Sequence, residues 1–383
     1  MISQILPLWS ERGFLARAEL FCEQMTFRGR PKLDVPYRSM VQARQIFVFT
    51  DSARLGLFRG GEEKALRALD RFLTFYAEDR DLAKGLAFSI DRSGRVVSPA
   101  RDSYTHAFAL FALASAYRLA PDARIASHAL ALLSFIDNHL WDPDNGGLFD
   151  CASGPSALKL QNPLMHLLEA CLAAHEAWPG GPFLTRAGTI VDLFRAKLFQ
   201  PAERLLFERY AVDWSPLAAG NYFEPGHHFE WIWLLDRYDR SAGSNHDDLA
   251  QGLWITAMRE GVASDFFCFD KVGVGSEISE RSGRTWPHTE AVRAALTRLA
   301  RGQGDAAAAL AGFLATINRA FLDPAYPGGW IDRVDASLNP ASNMMPASTL
   351  YHLYGAFRDI EIAEAMAGPR SRIPFIPQHV AAS

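Results

Sequence analysis

Five short strings carry residue types suited to proton transfer. His227 and Glu230 stand three apart in Pro225-Gly226-His227-His228-Phe229-Glu230-Trp231, a spacing that puts both on one helix face. Asn162 and His166 lie in Asn162-Pro163-Leu164-Met165-His166-Leu167-Leu168-Glu169. Glu290 follows Trp286-Pro287-His288-Thr289, His352 ends Pro346-Ala347-Ser348-Thr349-Leu350-Tyr351-His352, and Arg44 ends Arg38-Ser39-Met40-Val41-Gln42-Ala43-Arg44. Two imidazoles with ordinary pKa values near neutrality suit removal and return of a proton at a carbon beside a carbonyl. Arg44 and Asn162 are donors for the carbonyl oxygen as enediolate charge develops on it. The marks of other chemistries are missing: no Ser nucleophile elbow, no GxGxxG after a strand, no Walker loop. His227, Glu230 and His352 are a conceivable metal set, but no HExxH or comparable spacing accompanies them. The expected chemistry therefore uses neither metal nor other cofactor.

Each residue also has a plainer reading. A lone His in an apolar helix, like His166, is commonly a satisfied core residue, and Arg44 can simply pair with a loop carboxylate. His227 and Glu230 can be a buried hydrogen-bonded pair. His228, about 100° around the helix from His227, reads as structural. Trp231 and Trp233 read as core or cavity wall, whereas Trp286, leading its helix, is best placed to stack on a sugar face. Tyr104 and His106 stand evenly between site and core. His128, His139 and His175 fall on other helices or late in helices and read as structural.

The joint pattern emerges from the elements that must position these residues. Helical period and breakers predict twelve helices, near 4–26, 36–57, 62–79, 104–120, 124–139, 162–178, 183–199, 227–240, 245–262, 286–302, 305–322 and 347–366. Asp122 is a natural helix cap, Pro163 and Pro287 sit in first turns, and Pro179-Gly180-Gly181 ends a helix. Connections after even-numbered helices are short, while those after odd-numbered ones are often long. The long segments hold strings such as Leu86-Ala87-Phe88-Ser89-Ile90, Leu205-Leu206-Phe207-Glu208-Arg209 and Asp265-Phe266-Phe267-Cys268-Phe269, which read as short β-hairpins. Asp142-Pro143…Gly146-Gly147 and Asp323-Pro324…Gly328-Gly329 look like copies of one another, a weak internal repeat. Six helix hairpins with every long loop on one side predict an all-α fold, a closed (α/α)6 barrel with short β-hairpins at one mouth. Every candidate residue stands at the start of an even helix, so six inner helices deliver them to that mouth.

Composition agrees with this reading. The chain has 383 residues, 49% hydrophobic, with nine Trp, ten Tyr and 26 Phe, enough to bury a large core. No linker-like stretch divides it, so 1–383 reads as one domain, with 368–383 a tail on the surface or left mobile. Lys+Arg number 39 against 43 Asp+Glu, a net charge of −4 without a basic block, which excludes a nucleic-acid binder. No apolar run approaches the roughly 18 residues needed to span a bilayer, and Glu11 interrupts the N-terminus before a signal peptide can form. Four scattered cysteines read as reduced thiols of a cytoplasmic protein.

With these strings in place, the chain resembles the N-acylglucosamine 2-epimerase superfamily. Arg38-x3-Gln42-x-Arg44, Asn162-Pro-x-Met165-His166-x2-Glu169, Pro225-Gly226-His227-x2-Glu230-Trp231-x-Trp233-Leu234-Leu235, Trp286-Pro-x-Thr289-Glu290 and Tyr351-His352-Leu353 occur in the expected order from about residue 37 to 357. The Pro225–Leu235 string is the most specific. The resemblance implies an (α/α)6 barrel and interconversion of sugars at C1 and C2. It implies that His227 and His352 are the catalytic acid/base pair and that Arg44 binds the substrate oxygens. By the same resemblance, His166 and Asn162 bind a hydroxyl or open the ring, Glu230 and Glu290 orient the histidines and hydroxyls, and Trp286 lines the sugar. Met345–Leu353 is most similar to the mannose isomerase branch, so a monosaccharide substrate is expected: D-mannose, lyxose or mannose 6-phosphate converted to the ketose. A 2-epimerase of mannose, cellobiose or an N-acyl sugar is the alternative; a glycoside hydrolase or a non-catalytic sugar-binding protein ranks behind. Arg209, Lys271 and Arg284 lie in or beside long loops, where they either meet a phosphate or are solvated surface. The protein is expected to be a monomer or homo-oligomer.

Overall fold

Apolar residues that encircle a helix bury it on every side, whereas an apolar stripe leaves its other face in water. Both patterns occur, and they sort the helices into two rings. The computed structural model describes residues 1–154, 158–273, 278–280, 282–322 and 326–367; the expected tail at 368–383 and the start of the second Asp-Pro string, 323–325, lie outside them. Helix α4 (Ser103–Leu119) is buried from Ser103 to Ala116 except at Tyr104. Helix α3 (Glu62–Tyr76) buries only Ala65, Ala68, Leu69, Phe72, Leu73 and Tyr76, one stripe at helical spacing.

The encircled type comprises α2 (Ser39–Arg54), α4, α6 (Gln161–Ala177), α8 (Pro225–Ala242), α10 (Thr285–Ala300) and α12 (Ala347–Ala367). Each packs against the next, and α12 returns to α2, so these six close a ring. Around it stand α1 (Ile2–Leu8), α3, α5 (Ala123–Phe135), α7 (Phe183–Leu193), α9 (Asp247–Glu260) and α11 (Ala306–Thr316). α3, α5, α7, α9 and α11 pack on the inner helices that precede them in the chain, and α1 packs on α12. This is the (α/α)6 barrel. Because long loops always lead from an outer helix to an inner one, all six inner helices start at the same mouth. Among the described residues, no helix is long and apolar enough to cross a membrane.

Two of the three strings expected as hairpins do pair locally: Ser89–Ile90 with Val96–Ser98, and Leu205–Leu206 with Phe199–Gln200. The backbone just before each inner helix also pairs with the following long loop, which the sequence did not foretell: Tyr37–Arg38 with Ser89–Ile90, Asp102 with Cys151, Lys159–Leu160 with Arg209–Tyr210. The series continues with Tyr222–Phe223 to Val272–Gly273, Gly283–Arg284 to Arg333–Val334, and Met344–Pro346 back to Gln24–Thr26. A belt of six such pairings runs round the mouth and closes on itself. Asp265–Phe269 forms no strand; Cys268 makes a single bridge to Val262. The two Asp-Pro-Gly-Gly strings occupy equivalent places, bridging Trp141 to Leu148 and Leu322 to Trp330.

The first expected helix, 4–26, is corrected. It ends at Leu8, followed by a π-helical turn over Trp9–Gly13. Phe14–Leu15 and Leu20–Phe21 then form a hairpin whose turn places Glu19 at φ 55°, where its carboxylate receives Arg67 and Arg71. Gln24–Thr26 is needed as a strand to close the belt, so the segment cannot remain helical.

The fourth residue of four inner helices fastens the preceding loop. Gln42 accepts from the Phe21 N–H and donates to the Phe21 carbonyl, both at 2.8 Å. Leu86 and Cys268 amides donate to Nε2 of His106 and His288 at 2.9 Å, and Leu206 donates to His228 at 3.2 Å. His106 and His288 give their Nδ1 protons to the Asp102 and Arg284 carbonyls. Burial lowers the pKa of all three imidazoles to about 4, which suits acceptors that stay neutral. His106 is thus a structural residue. Gln42→Leu should strand two buried backbone groups and cost about 2–4 kcal/mol in chemical denaturation; a change under about 0.5 kcal/mol would show that the loop is held by its other contacts.

Candidate active site

Counting from the first residue of each inner helix resolves the mouth into two layers, because residues four apart stack on one helix face. The second residues are Met40, Tyr104, Asn162, Gly226, Trp286 and Ser348. All but Gly226 line a cavity of about 420 Å³. A Cβ on Gly226 would come within 2.5 Å of the Trp286 ring, so glycine at this position lets that ring lie against the start of α8. The sixth residues are Arg44, Phe108, His166, Glu230, Glu290 and His352, one from each helix. They form a continuous lower ring. Arg44 lies 4.2 Å from the Phe108 ring centre, the Phe108 ring packs tilted against His166 at 4.5 Å, His166 Nδ1 is 3.7 Å from Glu230, and His352 bonds Glu290. The next turn down carries Phe47, Phe111, Glu169, Trp233 and Arg293, all buried, which floors the cavity.

Arg44, Asn162, His166, Glu230, Trp286, His227 and His352 all reach the cavity, as expected. Arg44 does not meet a loop carboxylate. Its Nη2 donates to the Tyr104 hydroxyl at 2.6 Å and Nη1 to the Ser348 carbonyl at 3.1 Å, leaving Nε without a partner. Asn162 likewise keeps its side-chain oxygen unpaired. Glu290, expected to orient the histidines and hydroxyls, is absent from the cavity wall and lies buried behind His352. There it takes the His352 Nδ1 proton at 2.8 Å, Trp233 Nε1 at 2.8 Å and Arg293 Nη1 at 3.1 Å. Trp286 lies between the two histidines, its ring centre 4.9 Å from His227 and 5.5 Å from His352.

The two histidines have opposite electrostatic surroundings. Burial works to lower the His227 pKa, but Glu208, bonded to Nδ1 at 2.8 Å, and Glu224 more than offset it and raise the value above the ordinary one. For His352 burial again acts downward, and the nearby Arg44, His166 and Arg293 reinforce it, driving the pKa well below the usual range. Its Nδ1 proton is committed to Glu290, so Nε2 is a free lone pair. His166 is lowered to about 4 by burial, even beside Glu169.

Sequence reasoning missed Glu208. It sits on a loop and carries no motif; the one signal was a charge directly after the apolar string Leu205–Phe207. Gln161, itself held by Trp231 Nε1, fixes its other oxygen at 2.8 Å. Burial opposes the charge on Glu208, yet His227, Gln161 and the Glu224 amide keep its pKa below the carboxylate norm. Arg284 does reach the cavity, but in ion pairs with Glu224 at 2.8 Å and Asp270 at 3.0 Å. Lys271 lies over the Tyr222 ring, and Arg209 is not on the wall.

Known proteins share this design. Residues 21–356 match the family described as N-acylglucosamine 2-epimerase (GlcNAc 2-epimerase). A mannose-6-phosphate isomerase of Rhizobium meliloti (strain 1021) is 29% identical over 374 residues, 93% of each chain. A D-mannose isomerase of Thermobifida fusca is 31% identical over 163 residues, 38% of this chain and 40% of that one. A crystal structure of D-mannose isomerase has a TM-score of 0.86 at 18% identity, covering 95% of this chain and 96% of the other, a likeness of fold. With the match spanning nearly the whole barrel, the chain belongs to the N-acylglucosamine 2-epimerase family and is one of its sugar isomerases or epimerases.

Proposed function

We propose that the protein isomerises D-mannose to D-fructose with its own side chains as the proton carriers. The observation that carries this reading is the pair of histidines on one cavity wall, His227 held by Glu208 beside Glu224 and His352 held by Glu290 beside Arg44 and Arg293. These surroundings push the first pKa up and the second down, a split that suits an acid and a base. After the pyranose opens, His352 Nε2 takes the C2 proton while His227, protonated, gives its Nε2 proton to O1, producing the cis-enediol. His227 then removes the O2 proton and His352 returns its proton to C1, leaving a ketone at C2. Arg44, with an unpaired Nε, stabilises the oxygen on which charge develops. Asn162 and His166 bind hydroxyls, and Trp286 lies along the sugar between the two histidines.

The split also favours isomerisation over epimerisation. Inverting C2 needs a proton carrier for carbon on each face, whereas His227 is tied to carboxylates that suit it to oxygen. A second reading, mannose 6-phosphate, is favoured by the name of the Rhizobium relative. Free mannose is preferred because Arg38 is paired with Glu23, and Arg284 with Glu224 and Asp270, so a phosphate must displace carboxylates to reach either cation.

Proton and carbon NMR of mannose in D2O tests the reading: fructose with deuterium at C1 is expected. Glucose with deuterium at C2 would make the enzyme an epimerase, and turnover of mannose 6-phosphate alone would shift the substrate. His352→Ala and His227→Ala should each lower kcat by about 10²–10⁴-fold with little change in melting temperature; unchanged activity in either removes its role. Glu208→Gln deletes the charge that raises the His227 pKa. The alkaline limb of the kcat profile, where His227 loses its proton, should therefore move to lower pH, and an unmoved limb would detach Glu208 from the acid.

A further inference from the structure

Glu230 is the one carboxyl of the cavity floor that nothing on the protein satisfies. It lines the cavity at 0% exposure, and neither Oε1 nor Oε2 has a hydrogen-bond partner. His166 Nδ1, at 3.7 Å, is beyond hydrogen-bond reach and points to Glu169 at 3.3 Å.

The neighbouring charged groups bond elsewhere, and none donates to Glu230. On α6, Glu169 receives His166 and the Tyr351 hydroxyl of α12. On α10, Glu290 receives three donors, and its Arg293 also bonds Asp359. Arg44 of α2 serves Tyr104 of α4 and Ser348, while His227, on Glu230's own helix, serves Glu208. Oxygens of Glu230 lie within 4.8 Å of ligand atoms on Glu169 and His166, and within 4.8 Å of those on Glu290 and His352. A third ionised carboxylate, buried beside Glu169 and Glu290 and without a protein donor, would be costly. Two occupants relieve it: a proton or a cation. Glu169 receives two donors and Glu290 three, whereas Glu230 receives none, so although burial raises the Glu290 pKa as well, a proton in this ring belongs first on Glu230.

We propose that Glu230 is a neutral carboxylic acid at neutral pH and donates its O–H to a sugar oxygen. No protein group lies within hydrogen-bond distance of either oxygen, and Glu230 lines the cavity where a sugar would bind. Burial, then the Glu290 and Glu169 charges, push the Glu230 pKa well up, in the same sense. Its role in turnover rests on the proposed isomerase: the hydrogen bond strengthens as an enediolate oxygen gains charge, and the proton stays on Glu230. The protonation itself does not depend on the substrate.

Infrared difference spectroscopy of metal-free wild-type minus Glu230→Gln enzyme, with ¹³C-labelled Glu, separates the two. A protonated-carboxyl C=O band at neutral pH, shifted by the label and absent from Glu230→Gln, is expected. A carboxylate difference instead would overturn the proposal, whether or not any sugar turns over. If Glu230→Gln does not fold, the labelled wild-type spectrum, scanned for a protonated-carboxyl band, decides alone. Kinetically, Glu230→Ala should lose about 10²–10³ in kcat, and Glu230→Gln, which keeps an N–H donor, under about tenfold. Equal losses in both would mean that the charge matters. Stoichiometric Mn²⁺ or Zn²⁺ binding by calorimetry that Glu230→Gln abolishes would replace the proton with a metal.

Discussion

The structure depends on closure of the belt at the mouth. A short strand is marginal alone, and the described strands are two or three residues long. Each pairing nonetheless fixes the entry of one inner helix against the loop of the next hairpin, and the sixth pairing, Met344–Pro346 to Gln24–Thr26, joins the end of the barrel to its beginning. Gln42, His106, His228 and His288 repeat the fastening from within the helices. With six entries fixed, the second and sixth residues of every inner helix arrive at set depths, and the cavity acquires two layers without any further device.

Closure has an electrostatic consequence. Six helix N-termini converge on one cavity, and their aligned backbone dipoles favour negative charge there. An enediolate forming on the sugar meets that field, with Arg44 and Tyr104 on its rim. The same field helps to account for three glutamates on or just below the floor. The opposite ends of four inner helices carry arginines, Arg54, Arg118, Arg240 and Arg298, which answer the negative ends. Charge is thus sorted along the barrel axis, and the two histidines part in pKa because two glutamates raise His227 while burial and neighbouring cations lower His352.

Much of this was legible in sequence, for physical reasons. Alternating loop lengths disclose which helices share a mouth, and polar residues at the starts of otherwise apolar helices disclose which end holds the cavity. Arg44, Asn162, His166, His227, Glu230, Trp286 and His352 were visible on that ground. Glu290 was visible too, but its placement behind His352 was not, since helical position says how deep a residue lies and not which neighbour it chooses. Glu208 sits on a loop whose partner is the preceding loop, a long-range pairing that no local period reports. The helix expected at 4–26 failed in part for the same reason: residues 14–21 turn into a local hairpin, and Gln24–Thr26 is taken by a strand pairing that only the closed ring creates.

The account turns on two imidazoles in one cavity holding different protonation states. Side-chain ¹⁵N NMR of histidine-labelled enzyme, titrated across the neutral range and assigned with His227→Ala and His352→Ala, reads this directly. His352 should stay neutral with its proton on Nδ1, while His227 titrates above the ordinary histidine value. If both titrate together at that ordinary value, or if His352 is the one that stays protonated, the division into base and acid is wrong.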